Sequence, residues 1–196
     1  TRFVYVSSSE VYGTAQSVPM TEDHPPFPHT VYGGSKLAGE SYSRAFHDTY
    51  GFPMVIVRPF NAYGPRSHHE GDSGEVIPRF MLRALTGRPA IVFGDGNQTR
   101  DFSFVEDTAR GILEAADAEA AVGATINIGS NQEIRIRDLA VLVAEVAGNP
   151  DAPIIYDKAR PGDVSRLFAD ASRAHQLLGY APQVDLRRGL ERLRDW

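Results

Sequence analysis

The stretch PMVIVRP, residues 53–59, decides how this chain folds. Met54, Val55, Ile56 and Val57 run together without the alternation of a strand that has one wet face. A continuous apolar run this short suits a strand covered on both faces, as in a parallel sheet flanked by helices. Working outward, RFVYVS (2–7) reads as a second buried strand, and residues 31–50 carry small and apolar positions at helical spacing. Downstream, helix-period segments at 75–87, 106–121, 135–148, 171–179 and 186–195 alternate with extended runs AIVFG (90–94), ATINIG (124–129) and APIIYD (152–157). Such alternation predicts an α/β protein with a largely parallel sheet. Turn chemistry marks loops at 25–28, 63–74, 94–98 and 159–163.

The 196 residues are 42% hydrophobic and 23% charged, ordinary for a globular chain that buries a full core. There is no cysteine, so disulfides and thiolate metal sites are excluded and a reducing, cytoplasmic setting is expected. The net charge of −5 argues against a nucleic-acid partner, and no apolar run reaches membrane-spanning length. Thr1 is followed at once by a strand-like run, and the expectation is a piece of a longer protein. His68 and His69, adjacent in a polar loop, read as solvated rather than as metal ligands, and no metal is expected.

Two lysines are present, Lys36 and Lys158. Lys36 stands four residues after Tyr32 in HTVYGGSKLAGE (29–40), so phenol and ammonium share one helix face. A cation beside a phenol favours the phenolate, the form a general base for a sugar hydroxyl needs near neutral pH. Taken alone, the pair reads rather as surface residues that happen to be four apart, since short motifs match by chance. SSSEVYG (7–13) lies upstream at the carboxyl end of the first strand, where open α/β sheets bind ligands.

VSSSEVYG, YGGSK, RPFNAYGPR, TRDFSFVEDTARGI and RPGDVSRLFADASRAHQLLGY follow one another over the whole chain. In that order and spacing they resemble the extended short-chain dehydrogenase/reductase family, specifically its nucleotide-sugar epimerases and dehydratases. The resemblance implies a Rossmann-like doubly wound parallel sheet, of which the C-terminal half is in this chain, and a smaller α/β substrate-binding lobe. Residues 1–65 and 100–129 would belong to the dinucleotide-binding domain, and 66–99 and 130–196 to the nucleotide-sugar lobe.

It also implies roles. Ser8 matches the catalytic hydroxyl, Tyr32 the base, and Lys36 the residue that binds the nicotinamide ribose. Pro59 lines the nicotinamide pocket and Asn61 contacts the diphosphate side. Val76 meets the nucleotide sugar through its backbone, and Ile91 and Phe93 flank the base. Arg100 and Arg160 clamp the diphosphate, with Asp163 near the nucleotide ribose. Arginines from separate loops suit a diphosphate, and a flat strand with an aromatic suits a pyrimidine. In isolation Arg100 would read as a solvated loop residue and Arg160 as a salt-bridge partner of Asp163. The implied cofactor is NAD or NADP, the implied partner a second copy of the chain.

The family's glycine-rich phosphate turn is absent from this sequence. GDGNQT (94–99) lacks the third glycine and the strand–helix context, so it is no substitute. Glu10 bears on the reaction type. Elimination needs a base near C5, and the family's dehydratases and decarboxylases carry glutamate two positions after the catalytic hydroxyl. A 4,6-dehydratase or decarboxylase acting on a UDP- or dTDP-hexose is therefore favoured slightly over a 4-epimerase, a lyase over an isomerase. Glu10 reads equally as a solvent-facing residue beside the strand end. A rival of another class is a non-catalytic dinucleotide or nucleotide-sugar sensor on the same fold, disfavoured because Ser8, Tyr32 and Lys36 are all present.

Overall fold

The computed structural model describes residues 2–71, 74–160 and 162–196. Residues 72 and 73 of the loop at 63–74, and residue 161 of the loop at 159–163, lie outside them.

Strand β1 (Phe3–Val6) runs parallel to β2 (Met54–Pro59), with helix α1 (Val31–Tyr50) between them in the chain. The run that predicted a doubly covered strand is the centre of a sheet of order β1–β2–β7, β7 being Thr125–Ile128. Residues 54–57 are at most 1% exposed. Helix α1 packs on one face of β2 and helix α3 (Val105–Asp117) on the other. Burying each such side chain contributes about 1.5–3 kcal/mol, so the strand needs no polar alternation. Val55 and Val57 meet Ile126, Ile128, Ala115 and Tyr180 in one core cluster. Helix α5 (Ser172–Leu178) contributes Ala174 to that cluster.

Helix α1 begins where the sequence predicts because Thr30 caps it, its hydroxyl accepting from Gly33 N at 3.0 Å. It ends at Gly51, whose φ of 63° is the left-handed conformation glycine adopts freely. Two glycines inside the helix serve close approach. A Cβ on Gly33 would lie 2.7 Å from the Glu10 carbonyl oxygen, and one on Gly39 would lie 2.0 Å from Tyr5 Oη. The helix therefore lies almost against the end of β1 and the 3₁₀ turn Ser9–Tyr12.

The rest of the chain builds a second cluster. Strands β4 (Ala90–Phe93) and β9 (Ile154–Asp157) pair in parallel. Helices α2 (Val76–Leu85), α4 (Ile136–Val146) and α6 (Leu186–Asp195) pack around them through Ile77, Phe80, Leu139, Val143 and Leu190. Short strands tie this part to the first sheet: β3 (Ala62–Tyr63) with β6 (Ser103–Phe104) in parallel, and β5 (Thr99–Asp101) with β8 (Glu133–Arg135) antiparallel. These were not read from the sequence, being two or three residues long and partly polar.

The segment read as a helix over 106–121 stops at Asp117 and resumes as a 3₁₀ turn at Glu119–Ala121. Arg2 explains the break, donating from Nη1 to the carbonyls of Ala116 and Ala118, both at 2.7 Å. Among the described residues no helix is long and apolar enough to cross a membrane, and no cluster of three or more acidic or histidine side chains could hold a metal ion.

Candidate active site

A cavity of about 630 Å³ opens where the carboxyl ends of β1 and β2 face the second lobe. All twelve residues singled out from the sequence line it: Ser8, Glu10, Tyr32, Lys36, Pro59, Asn61, Val76, Ile91, Phe93, Arg100, Arg160 and Asp163. They come from the capped 3₁₀ turn after β1, the first two turns of α1, the end of β2 and the link to β3, the start of α2, β4, β5 and the loop after β9.

At one end of the cavity, the Lys36 ammonium donates to the Val6 carbonyl at 3.0 Å. It lies 5.7 Å from the centroid of the Tyr32 ring and 5.8 Å from that of Tyr5. The Tyr32 side chain is half-exposed, so its hydroxyl can meet a ligand. Ser8 caps the 3₁₀ turn, its Oγ accepting from Glu10 N at 3.2 Å, which leaves the hydroxyl proton for another acceptor. Glu10 is not simply turned to solvent. Thr30 Oγ1 donates to Glu10 Oε2 at 2.8 Å, and the same Thr30 oxygen caps α1.

At the other end, Arg100 is mostly buried and holds Asp163 Oδ1 at 2.7 Å through Nη2, while Nη1 donates to the Thr99 carbonyl at 2.8 Å. Burial lowers the Arg100 pKa from the ordinary arginine value, opposed by Asp163 and by the nearby Glu10 carboxylate. The ion pair read for Arg160 and Asp163 in isolation is made by Arg100 instead. The Arg160 guanidinium lies 4.0 Å from the centroid of the Phe93 ring, a cation–π contact on the strand expected to flank a base. Asn61 donates from Nδ2 to the Asp101 carbonyl at 2.8 Å, which leaves its side-chain oxygen for a donor in the cavity.

Several residues were missed by sequence reasoning. Asp101, next to Arg100 on β5, is fully buried and accepts from Ser130 N at 2.8 Å, Ser130 Oγ at 2.6 Å and Ala169 N at 3.4 Å. Burial pushes its carboxyl up to about 6. Glu75 and Arg79 line the cavity beside Val76. Burial raises the Glu75 carboxyl above its ordinary value. Glu40 is wholly buried on α1 and paired with Arg58 at 2.7 Å. The signal for that pair was present: an arginine inside PMVIVRP requires an acid opposite it, and Glu40 is four residues after Lys36 on the same helix face.

The family model for GDP-mannose 4,6-dehydratase matches residues 1–193. A UDP-glucose 4-epimerase of Mycolicibacterium smegmatis is 36% identical over 94% of this chain and 58% of its own length. A dTDP-glucose 4,6-dehydratase of Xanthomonas campestris is 35% identical over all of this chain and 57% of its own. The crystal structure of a UDP-glucuronic acid 4-epimerase from Bacillus cereus, in complex with UDP-glucuronic acid and NAD, superposes with a TM-score of 0.91. It is 36% identical, with 99% of this chain and 60% of that one covered. The chain thus spans less than two thirds of each of these relatives, which include epimerases and a dehydratase. The chain belongs to the extended short-chain dehydrogenase/reductase family of nucleotide-sugar epimerases and dehydratases.

Proposed function

We propose that the protein is an NAD-dependent enzyme that oxidises the C4 hydroxyl of a UDP- or dTDP-hexose and completes the reaction by losing water across C5 and C6, as a 4,6-dehydratase, or carbon dioxide from a C6 carboxylate, as a decarboxylase. The observation that carries the choice is Glu10. Its carboxylate faces the same cavity as Ser8, Tyr32 and Lys36 and is held by Thr30 rather than free in solvent.

Tyr32 acts as base on the sugar 4-hydroxyl, with Ser8 donating its hydroxyl hydrogen bond to the same substrate oxygen. The Lys36 ammonium lies beside the Tyr32 ring, 5.7 Å from its centroid. In the dehydratase reading Glu10 takes the C5 proton of a hexose oxidised at C4 as the C6 hydroxyl leaves as water; in the decarboxylase reading the C6 carboxylate of a 4-keto uronic acid leaves as carbon dioxide. Arg100 and Arg160 hold the diphosphate, Asn61 and the Val76 backbone orient it, Ile91 and Phe93 flank the base, and Asp163 meets the nucleotide ribose.

NAD, when bound, supplies the hydride acceptor and donor. The residues present fit its nicotinamide side. Lys36 carries three N–H donors and, among the described residues, uses one of them on Val6, so two are left for the ribose diol. Pro59 lines the same cavity. We propose also that residues 1–65 and 100–129 serve the cofactor and 66–99 and 130–196 the nucleotide sugar.

The test incubates the full-length protein with UDP- and dTDP-hexoses. A 4-keto-6-deoxy product supports elimination, provided that a Glu10→Gln variant loses it. A 4-epimer as the product replaces elimination by the second reading, 4-epimerisation, which the epimerase relatives favour. Nucleotide-sugar binding without any product overturns the enzymatic reading.

A further inference from the structure

A saturated carboxylate sits behind the site. Glu40 Oε1 accepts from Ser7 Oγ at 2.6 Å and Arg58 Nε at 2.8 Å, and Oε2 accepts from Arg58 Nη2 and Arg44 Nη2, both at 2.7 Å. Four donors fill what one carboxylate can accept. Ser7, Glu40 and Arg58 are each at most 3% exposed. The Arg58 guanidinium lies 4.6 Å from the centroid of the Tyr12 ring, and Tyr12 Oη donates to Asn127 Oδ1 at 2.7 Å. Each member adjoins the site in sequence: Ser7 lies between Val6 and Ser8, Arg58 precedes Pro59, and Glu40 is one turn beyond Lys36.

Burying such a cluster is no way to gain stability, because apolar residues of similar volume commonly do as well or better. What hydrogen bonds add over apolar contact is direction. The carbonyl that anchors Lys36 belongs to Val6, and the hydroxyl in the cavity belongs to Ser8. Ser7, between them, is pinned by its short bond to Glu40. We infer that Ser7 and Glu40 are positioning residues, their buried hydrogen bond fixing the end of β1 so that Val6 holds the Lys36 ammonium and Ser8 meets the substrate. The catalytic part of this rests on the function proposed above; the positional part does not.

The test uses Ser7→Ala in the full-length protein. Glu40 keeps its three guanidinium bonds in this variant, which therefore folds, whereas removing Glu40 leaves the buried Arg58 cation without its carboxylate, with the Glu22 carbonyl and the Tyr12 ring as its other contacts. Turnover is expected to fall roughly ten- to a hundredfold, the range for a misplaced catalytic group, with KM for the nucleotide sugar within about twofold. A second readout is NMR of protein labelled with [13Cε]lysine, the Lys36 signals being assigned by their loss in Lys36→Arg. A fixed Lys36 has two inequivalent ε-proton signals, which should merge in Ser7→Ala. Wild-type turnover in Ser7→Ala, a KM that rises in step with the loss of turnover, or unmerged Lys36 signals each overturn the inference. If the wild type itself transforms no nucleotide sugar, the proposed function fails, and the lysine spectrum alone decides whether the bond positions Lys36.

Discussion

Thr30 Oγ1 serves two partners at once, accepting from Gly33 N at 3.0 Å and donating to Glu10 Oε2 at 2.8 Å. One hydroxyl thus caps the helix that carries Tyr32 and orients the carboxylate proposed as the C5 base. Thr30→Ala loses both bonds. Loss of the cap costs about 1 kcal/mol, which lowers Tm by roughly 2–4 °C in a chain of this size. Loss of the tether should reduce the eliminated product in favour of unreacted or epimerised sugar, while Thr30→Ser keeps both functions. Thermal melts and product analysis on the three proteins check this. An unchanged product ratio in Thr30→Ala would mean that the tether does not serve elimination.

Asp101 makes the stability of the fold depend on pH in the mildly acidic range, in the direction of greater stability at lower pH. Burial pushes its carboxyl up to about 6 from an ordinary 3.8. Between those values the folded chain holds a proton that the unfolded chain has released. Stability therefore falls as pH rises from about 4 to about 6, by about 3 kcal/mol at 1.4 kcal/mol per unit. Asp101→Asn cannot ionise and should lose this component. Glu22 and Glu75, also raised by burial, shift in the same sense but are present in both proteins. Urea denaturation between pH 4 and 6.5 should show the variant gaining on the wild type as pH increases. Parallel profiles would mean that Asp101 is ionised throughout.

Helix α1 was legible to the residue because its signals are local: a capping threonine, a left-handed glycine and helical spacing between them. The end of α3 was not, since the arginine that intercepts its last carbonyls lies more than a hundred residues earlier. Strands β5 and β8 were hidden because three partly polar residues carry no period. For the site, the order of five motifs led to twelve residues that all line one cavity, nine of them inside the motifs and Val76, Ile91 and Phe93 between them, though no single motif could. The buried residues behind that cavity escaped notice. Glu40 reads as an ordinary polar position of a helix, and Asp101 as one of the charges in TRDF. For Glu40 the arginine inside PMVIVRP was a signal that went unused, while only the turn around Ser130 shows why Asp101 is there.

Gly39 and Tyr5 are expected to be coupled with a change of sign. Alanine in place of a helical glycine normally stabilises by about 1 kcal/mol. Here the new Cβ would stand 2.0 Å from Tyr5 Oη and 2.3 Å from Cζ, so the ring must move. Overpacking of this kind costs about 1–3 kcal/mol, and Gly39→Ala should be destabilising overall. With Tyr5→Ala already present the obstruction is gone, and the same Gly39→Ala change should stabilise. A double-mutant cycle by chemical denaturation measures the difference. Additive effects would show that α1 shifts away from β1 at little cost.

Arg100 and Asp163 separate binding from stability. Their ion pair at 2.7 Å is largely shielded, the two side chains being 13% and 32% exposed. Arg100→Met leaves Asp163 partly buried and unpaired, so stability falls, and adding Asp163→Asn should restore much of it. Affinity for UDP or dTDP should behave differently. A charge-assisted hydrogen bond contributes about 1.5–3 kcal/mol, at least a tenfold change in Kd, and no change at Asp163 can replace the lost cation. The double variant is thus expected to melt near the wild-type temperature while binding the nucleoside diphosphate at least tenfold more weakly. Uridine, which lacks the diphosphate, should lose no affinity through Arg100→Met. Calorimetric titration with UDP and uridine checks both. Equal losses for the two ligands would place Arg100 at the nucleoside rather than the diphosphate, and no loss for either would remove it from the binding site.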